Sequence, residues 1–260
     1  MTQTIRLEIA APLAEIILDQ PQRRNALSLE MWDSLPRRVA EANADPRVKV
    51  ILLQGGGSGV FAAGADISEF PLIYGTEAAA RHSGETIARA LAALEESPKP
   101  VIAAIEGACV GGGVSLAVAS DIRIATATAS LGITPAKLGL VYPPGDMARL
   151  VRLVGPGVAK RLLFTGRIFS AADALAMGLI DEMVEAPGIL PAARALALEI
   201  AAQSQWSVRA TKRMMRGFEE GNGPDSAEAE TLFLEGFANP DFREGVSAFL
   251  GKRKPDWKVT

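Results

Sequence analysis

Short runs of apolar residues alternate with glycine-rich turns along the first half of the chain. The stretches TIRLEI and LAEIILDQP alternate apolar and polar positions and are broken by Pro12 and Pro21, which predicts a β-hairpin at the start. Later runs are continuously apolar and predict three strands covered on both faces: VKVILLQGGG (48–57), KPVIAAIEG (99–107) and DIRIATATA (121–129).

Other segments carry apolar residues with helical spacing and recognisable start signals. Ser28 is placed to cap a helix through LEMWDSLPRRVAEANAD that ends at Pro46. The segment GETIARALAALEES (84–97) puts Ile87, Leu91 and Leu94 on one helical stripe. SAAD (170–173) has the spacing of a capping box before a further helix. Strands and helices in this order predict the α/β class.

The pattern becomes mainly helical after about residue 190. We therefore predict one α/β core over residues 1–195, followed by a helical region over residues 196–260. The stretch from 225 to 250 carries more large apolar side chains than a terminal appendage leaves exposed to water. It is predicted to pack between subunits through Leu232, Phe233, Phe237, Phe242, Val246, Phe249 and Leu250.

Composition narrows the class of protein. The chain has 260 residues, 48% hydrophobic and 22% charged, which is enough for one sizeable core or two small ones. Its net charge is −3 and its longest basic run is KRK at 252–254, which argues against a nucleic-acid surface. The longest uncharged apolar stretch, 107–120, is short and glycine-rich, so a membrane span is not expected.

The N-terminus and the reactive residues add further expectations. The N-terminal segment has no charged region followed by an apolar one, so we expect a cytoplasmic protein. The single cysteine, Cys109, excludes a disulfide within the chain and a multi-cysteine metal site. The single histidine, His82, excludes a histidine-based zinc cluster, so no metal is expected.

Two glycine constellations could carry chemistry. In FAAGADISEF (61–70) a strand end meets Gly64, and in EGACVGGGVSLAVASD (106–121) a strand turns through three glycines into a helix. Glycine lets the backbone approach a ligand, and a helix N-terminus adds partial positive charge. Two N–H groups that converge on one oxygen form an oxyanion hole. Taken alone, each constellation is better explained as a packing turn between buried strands and helices.

Together these motifs resemble the crotonase superfamily, also called the enoyl-CoA hydratase/isomerase family. The resemblance covers nearly the whole chain and includes RRNALS (23–28), FAAGADI (61–67), KPVIAAIEGACVGGG (99–113), SDIRIATATASLG (120–132), AKRLLFTGRIFSAADALAMGLIDEMV (159–184) and FLGKRKPDW (249–257). It implies a spiral of ββα units and a helical C-terminal region that forms a homotrimer or a hexamer. It also implies an acyl-coenzyme A substrate, with no cofactor beyond the coenzyme A moiety of that substrate.

The resemblance also implies roles for individual residues. By position, the oxyanion-hole donors are the backbone N–H groups of Ala65 and Gly112. The coenzyme-binding residues carried over in the same way are Arg24, near the phosphates, Ala63, Asp66 and Ile67, along the adenine, and Phe249 and Lys252, which are expected to reach a neighbouring subunit's coenzyme.

The sequence departs from the hydratase pattern at two positions. Hydratases of this family carry glutamates where this chain has Ser115 and Pro135, and water addition needs both an activating group and a proton donor. The segment TPAKLGLVY resembles the methylmalonyl-CoA decarboxylase branch, in which Tyr142 would be functional. Decarboxylation of a malonyl-type thioester needs no general base, so a decarboxylase-like lyase is the leading hypothesis.

Two alternatives stay open. A hydratase or isomerase could use a relocated acid or base, with Glu69, Glu85 and His82 as the candidates. A catalytically silent acyl-CoA-binding paralogue is the alternative of another class. Asp146 is expected only to cap the helix MARLVRLVG.

Overall fold

The computed structural model describes residues 4–257, which form nine strands and ten α-helices. The strands, in chain order, are β1 (Ile5–Ala10), β2 (Leu13–Leu18), β3 (Val50–Gln54), β4 (Val101–Ile105), β5 (Ala108–Val110), β6 (Ile122–Thr126), β7 (Ser130–Gly132), β8 (Ile168–Ser170) and β9 (Glu182–Val184). The helices are α1 (Leu29–Ala44), α2 (Phe70–Ile73), α3 (Glu77–Glu95), α4 (Gly112–Val118), α5 (Pro144–Thr165), α6 (Ala171–Ala176), α7 (Ile189–Ala201), α8 (Gln205–Glu219), α9 (Ala227–Ala238) and α10 (Pro240–Leu250).

Six strands form the main sheet in the order β1-β2-β3-β4-β6-β9. β1 and β2 form the predicted antiparallel hairpin, and every other neighbouring pair is parallel. All residues of β3 and β4 are buried, because side chains alternate between two faces that are both covered. One face packs on α1 and α3, and the other packs on α7. The predicted buried strands are therefore confirmed.

A second sheet of three short strands, β5-β7-β8, lies beside the first. β4 is followed at once by β5 and then α4, while β6 is followed by β7 and later α5, so successive turns of chain supply one strand to each sheet. An isolated bridge between Ala62 and Cys109 extends this second layer to the turn that follows β3. The arrangement is the ββα spiral that the resemblance implies.

The two predicted helix starts, at Ser28 and Ser170, are confirmed. The Ser28 hydroxyl accepts the Met31 N–H and begins α1, and Ser170 forms a complete capping box with Asp173. The helix that carries the apolar stripe of 84–97, α3, begins at Glu77. Gly84 lies on an open face inside this helix, where a glycine costs only about 1 kcal/mol of helix propensity and does not end it.

The predicted division between residues 195 and 196 falls inside α7. This helix packs on the main sheet through Ile189, Ala193, Ala197 and Ala201, so its whole length belongs to the core. The separate helical region of the structure is α8 to α10.

Candidate active site

The first glycine constellation is held between two neighbouring segments. On one side the Leu27 N–H donates to Gly64 O at 2.7 Å and the Asp66 N–H donates to Leu27 O at 3.0 Å. On the other side Ala62 exchanges backbone hydrogen bonds with residues 108 and 110, at 3.0 and 2.9 Å. The backbone around Ala65 is therefore fixed by peptide hydrogen bonds and not by side chains.

The two glycine constellations touch at Gly64 and Gly111. Both have positive φ, 110° and 52°, a region that favours glycine. A Cβ on Gly111 would lie 3.9 Å from the Gly64 Cα, and a Cβ on Gly64 would lie 3.2 Å from Val110 O. The backbone conformation therefore favours glycine at both positions, and at Gly64 a side chain would also crowd Val110 O.

The predicted oxyanion-hole donors follow these two glycines directly. Gly112 is the first residue of α4, where helical N–H groups have no partner within the helix. Within residues 4–257, neither the Ala65 nor the Gly112 N–H has a hydrogen-bond acceptor. Two unpaired peptide donors on touching segments are the arrangement that an oxyanion hole requires.

A cluster of three buried side chains lies one helical turn beyond Gly112. The Ser115 Oγ is 2.8 Å from the Tyr142 Oη and donates a 2.6 Å hydrogen bond to the Asp146 Oδ2. Ser115 projects from α4, Tyr142 precedes Pro143 in the loop that leads into α5, and Asp146 lies in the first turn of α5. All three side chains are buried. We call this set the Ser-Tyr-Asp cluster.

Burial dominates the acidity of this cluster. It raises the pKa of Asp146, while the Ser115 hydrogen bond and the nearby Arg149 act in the opposite direction. Burial also raises the pKa of Tyr142 well above its usual range, and the Asp146 charge adds to this rise. Burial raises the pKa of the Cys109 thiol as well, so no thiolate forms at neutral pH. Burial therefore shifts the pKa values of Asp146 and Tyr142 in the direction that favours their uncharged forms.

The prediction that Asp146 caps a helix is wrong. α5 begins at Pro144 with Pro143 as its N-cap, and no side chain caps it. Asp146 points inward because it shares a helix face with the buried Leu150, one turn further on. Its Oδ1 lies 3.4 Å from the Arg149 Nη1, and that guanidinium also binds Glu95 at 2.7 Å. The face shared with Leu150 is the sequence signal that could have identified Asp146 as buried.

The four predicted coenzyme-binding residues from the N-terminal half of the chain lie close to one another. The Ala63 N–H donates to Arg24 O at 3.1 Å, and Arg24 is exposed with a φ of 54°. Asp66 accepts hydrogen bonds from the Ser68 N–H and hydroxyl and also binds Arg23, and these contacts lower its pKa. The Ile67 side chain is exposed. These residues form one surface around Ala65, with the Asp66 carboxylate occupied by its neighbours.

The candidates for a relocated acid or base are either hydrogen-bonded elsewhere or exposed. Glu69 accepts the Leu29 N–H at 2.8 Å and so caps α1. His82 and Glu85 are exposed on α3, and Pro135 begins a 3-10 turn, Pro135–Leu138. No hydrogen bond in the part of the chain described here joins any of these residues to the Ser-Tyr-Asp cluster.

The C-terminal helices present an exposed apolar surface. Phe233, Phe237 and Phe242 stack edge to face, and Phe249 beside them is 83% exposed. Lys252 follows the end of α10, so it lies on the same part of the chain as Phe249. Their predicted contact with a neighbouring subunit's coenzyme stays a prediction.

Residues 4–257 carry neither a metal-ion cluster nor a membrane-spanning helix. Among these residues there is no group of three or more histidine, cysteine, aspartate or glutamate side chains that could hold a metal ion. None of their helices is both long and apolar enough to cross a membrane.

Comparisons with known proteins agree with one another. The sequence model of the family described as Enoyl-CoA hydratase/isomerase matches residues 8–260. A crotonyl-CoA hydratase from Syntrophomonas wolfei is 34% identical over 259 residues, which cover 98% of each chain. A crystal structure of an enoyl-CoA hydratase/isomerase family protein from Hyphomonas neptunium is 62% identical, with a TM-score of 0.97 over 100% of this chain and 99% of the other. An enoyl-CoA hydratase from Bacillus anthracis is 33% identical with a TM-score of 0.92, over 99% and 100% of the two chains.

Proposed function

Because this chain belongs to the enoyl-CoA hydratase/isomerase family, we propose that it forms a thioester enolate from an acyl-CoA, and that decarboxylation of a malonyl-type thioester produces this enolate. The observation that carries the proposal is the Ser-Tyr-Asp cluster beside the turn at Gly112. It supplies one proton donor, Tyr142, where the hydratases of the family are expected to have two glutamates.

The first step would need no base from the protein. When the bond between Cα and the carboxylate breaks, its electrons form the enolate and CO2 leaves. The enolate oxygen would accept hydrogen bonds from the N–H groups of Ala65 and Gly112, which have no other acceptor within the described part of the chain and are held in place by the backbone. Loss of one such donor typically costs about 2.7–4 kcal/mol in an enzyme, so two donors supply a substantial part of the catalysis.

The second step would be protonation of the enolate carbon by Tyr142. A phenol has a pKa near 10 and is protonated at neutral pH, and burial raises the pKa of Tyr142 further. The phenol therefore carries its proton without adding a negative charge to the site. A carboxylate about 4 Å from the departing carboxylate would instead repel it by about 4 kcal/mol at an effective dielectric of 20. Asp146 lies behind Ser115 and beside Arg149, so its charge is partly balanced.

The coenzyme would bind along the surface around Ala65. Arg24 is exposed and available to the phosphates, and Ala63 and Ile67 offer a small and an apolar side chain to the adenine. In a homotrimer or hexamer, Phe249 and Lys252 of a neighbouring subunit would complete this site. The exposed apolar surface of α9 and α10 supports such an assembly.

Hydration is the second candidate, and the named relatives favour it. The Syntrophomonas wolfei relative is a crotonyl-CoA hydratase that matches this chain over nearly its whole length. In that case an acid or base from Glu69, Glu85 or His82 would have to act on water. Glu69 already caps α1, and the other two side chains are exposed on α3.

A panel of acyl-CoAs would test the proposal. The purified protein is incubated with malonyl-CoA, methylmalonyl-CoA and crotonyl-CoA, and the products are identified by mass spectrometry. We expect CO2 release from a malonyl-type thioester and slow hydration of crotonyl-CoA. Fast hydration with no CO2 release would overturn decarboxylation in favour of hydration. Tight binding without turnover across the panel would support a silent acyl-CoA-binding protein.

A further inference from the structure

We propose that the protonation state of Asp146 decides the direction in which the Tyr142 hydroxyl points, so that Asp146 acts through Ser115 as the positioning residue of the proton donor. The inference deepens the proposed function and rests on it only for the identity of the proton acceptor. The reorientation itself follows from the hydrogen bonds of the Ser-Tyr-Asp cluster.

When Asp146 is ionised, the Ser-Tyr-Asp cluster holds two hydroxyl protons. Ser115 and Tyr142 each carry one O–H, and an ionised Asp146 can only accept hydrogen bonds. The 2.6 Å contact with Asp146 therefore uses the Ser115 proton. The 2.8 Å contact between Ser115 and Tyr142 is then filled by the Tyr142 proton. In this state the tyrosine proton points at Ser115 and away from any substrate.

Protonation of Asp146 reverses the donor and acceptor roles in the hydrogen bonds that join Asp146, Ser115 and Tyr142. The carboxyl O–H donates to the Ser115 Oγ, and the Ser115 proton turns to the Tyr142 Oη. The other acceptor near Ser115 is Gly111 O at 3.5 Å, which is too long to compete with a contact of 2.8 Å. The Tyr142 proton is then released from Ser115 and can point at a substrate carbon.

In the proposed relay each group that gives up a proton receives another one. The enolate carbon takes the Tyr142 proton, the Tyr142 Oη takes the Ser115 proton, and the Ser115 Oγ takes the Asp146 proton. Asp146 is left ionised beside Arg149 and regains its proton from solvent. Each turnover therefore consumes one solvent proton, as protonation of an enolate requires.

The charged and titratable groups around Asp146 come from several elements. Arg149 on α5 donates to Oδ1 but is shared with Glu95 on α3, which also binds Arg152 at 2.7 Å. Tyr142 is a protonated neighbour with a raised pKa, and Cys109, whose pKa is also raised, acts on Tyr142. Burial outweighs the partial help from Arg149, and the pKa of Asp146 is raised. The switch therefore acts at a higher pH than an exposed aspartate would allow.

Replacement of Asp146 by asparagine would fix the hydrogen bonds in one direction, from residue 146 to Ser115 and from Ser115 to Tyr142. Arg149 can only donate, so it orients the amide oxygen toward itself and the amide N–H group toward Ser115. Asp146→Asn therefore imitates the protonated acid at every pH. Ser115→Ala provides the opposite control, because it removes the link between position 146 and Tyr142.

The chain offers a direct spectroscopic test. It contains only two tyrosines, so Tyr74→Phe leaves Tyr142 as the sole tyrosine reporter. Ultraviolet resonance Raman spectra distinguish a tyrosine hydroxyl that donates a strong hydrogen bond from one that accepts one. We would record them between about pH 4 and 9, where a carboxyl with a raised pKa titrates. Circular dichroism of each variant confirms folding.

In the Tyr74→Phe protein we expect Tyr142 to change from donor at high pH to acceptor from Ser115 at low pH. With Asp146→Asn added it should stay an acceptor throughout, and with Ser115→Ala added it should not respond to pH. A Tyr142 signal that is constant with pH in the Tyr74→Phe protein would overturn the inference, as would a pH response that survives Asp146→Asn. Neither result depends on turnover. If no malonyl-type thioester releases CO2, only the decarboxylase proposal is overturned, and the reorientation of Tyr142 is still tested.

Discussion

Removal of one oxygen atom, by Tyr142→Phe, tests the proposed proton donor. The ring stays in its buried position, and Ser115 keeps its 2.6 Å bond to Asp146, so no charged group loses its partner. The variant loses one hydrogen bond of 2.8 Å, worth about 0.5–1.5 kcal/mol, and no longer buries a hydroxyl. We therefore expect the free energy of unfolding to change by no more than about 1 kcal/mol.

Turnover should change much more than stability. A positioned general acid contributes about 10²–10⁴-fold, and water that enters the site can replace part of this. We therefore expect a loss of at least about tenfold, with unchanged coenzyme A affinity. The loss should fall on protonation of the enolate, because cleavage to CO2 does not use the tyrosine proton.

Methylmalonyl-CoA turnover in D2O would separate these steps. CO2 release gives the rate, and the configuration of the deuterated carbon shows whether one fixed donor delivered the proton. Tyr74→Phe is the matched control, since it removes an exposed tyrosine hydroxyl outside the cluster. A Tyr142→Phe enzyme with the normal rate and a single product configuration would refute the assignment of Tyr142 as the donor.

Four further outcomes are expected. A raised pKa means that wild-type Asp146 stabilises the fold while it is protonated and loses this contribution as pH rises through its folded pKa, so Asp146→Asn should gain relative stability with rising pH in urea titrations. A difference that is constant with pH would contradict this. Gly64→Ala should cost about 1–3 kcal/mol and most of the activity because of its φ of 110°, whereas Gly84→Ala should be neutral or stabilising in thermal unfolding. Glu69→Ala should lower stability by about 0.5–2 kcal/mol as a lost helix cap and leave turnover intact, and a loss of turnover would favour the hydratase. Phe249→Glu should shift the protein toward monomers in light scattering, and a wild-type protein that is already monomeric would remove the prediction of a trimer.

Much of the fold could be predicted because its strands are short buried runs bounded by glycine or proline. VKVILLQ and PVIAAI are apolar on both faces, and such segments become inner strands of a covered sheet. The apolar stripe within 84–97 indicates a helix but not where it begins, and the nineteen-residue helix α3 starts at Glu77. Local propensity is a weak signal beside the packing of a long helix face.

The sequence predicts the backbone groups of the candidate site but not its cluster of side chains. Glycines mark Ala65 and Gly112 locally, but the Ser-Tyr-Asp cluster joins Ser115 to residues 27 and 31 positions further along the chain. Their meeting depends on how α4 packs against α5, which no local pattern encodes. Asp146 also occupies the first turn of its helix, where an aspartate is usually explained by the helix dipole alone.

The peptide hydrogen bonds that hold the segments around Gly64 and Gly111 together have a consequence for amide hydrogen exchange. The peptide N–H groups of Leu27, Ala62 and Val110 are all engaged between segments, so their exchange requires the core to open. The Ala65 and Gly112 amides lie between them with no acceptor among residues 4–257, so we expect them to exchange from the folded state. In the protein without ligand, two rapidly exchanging amides would thus mark the site within slowly exchanging surroundings. Binding of an acyl-CoA whose carbonyl accepts from both amides would slow their exchange selectively.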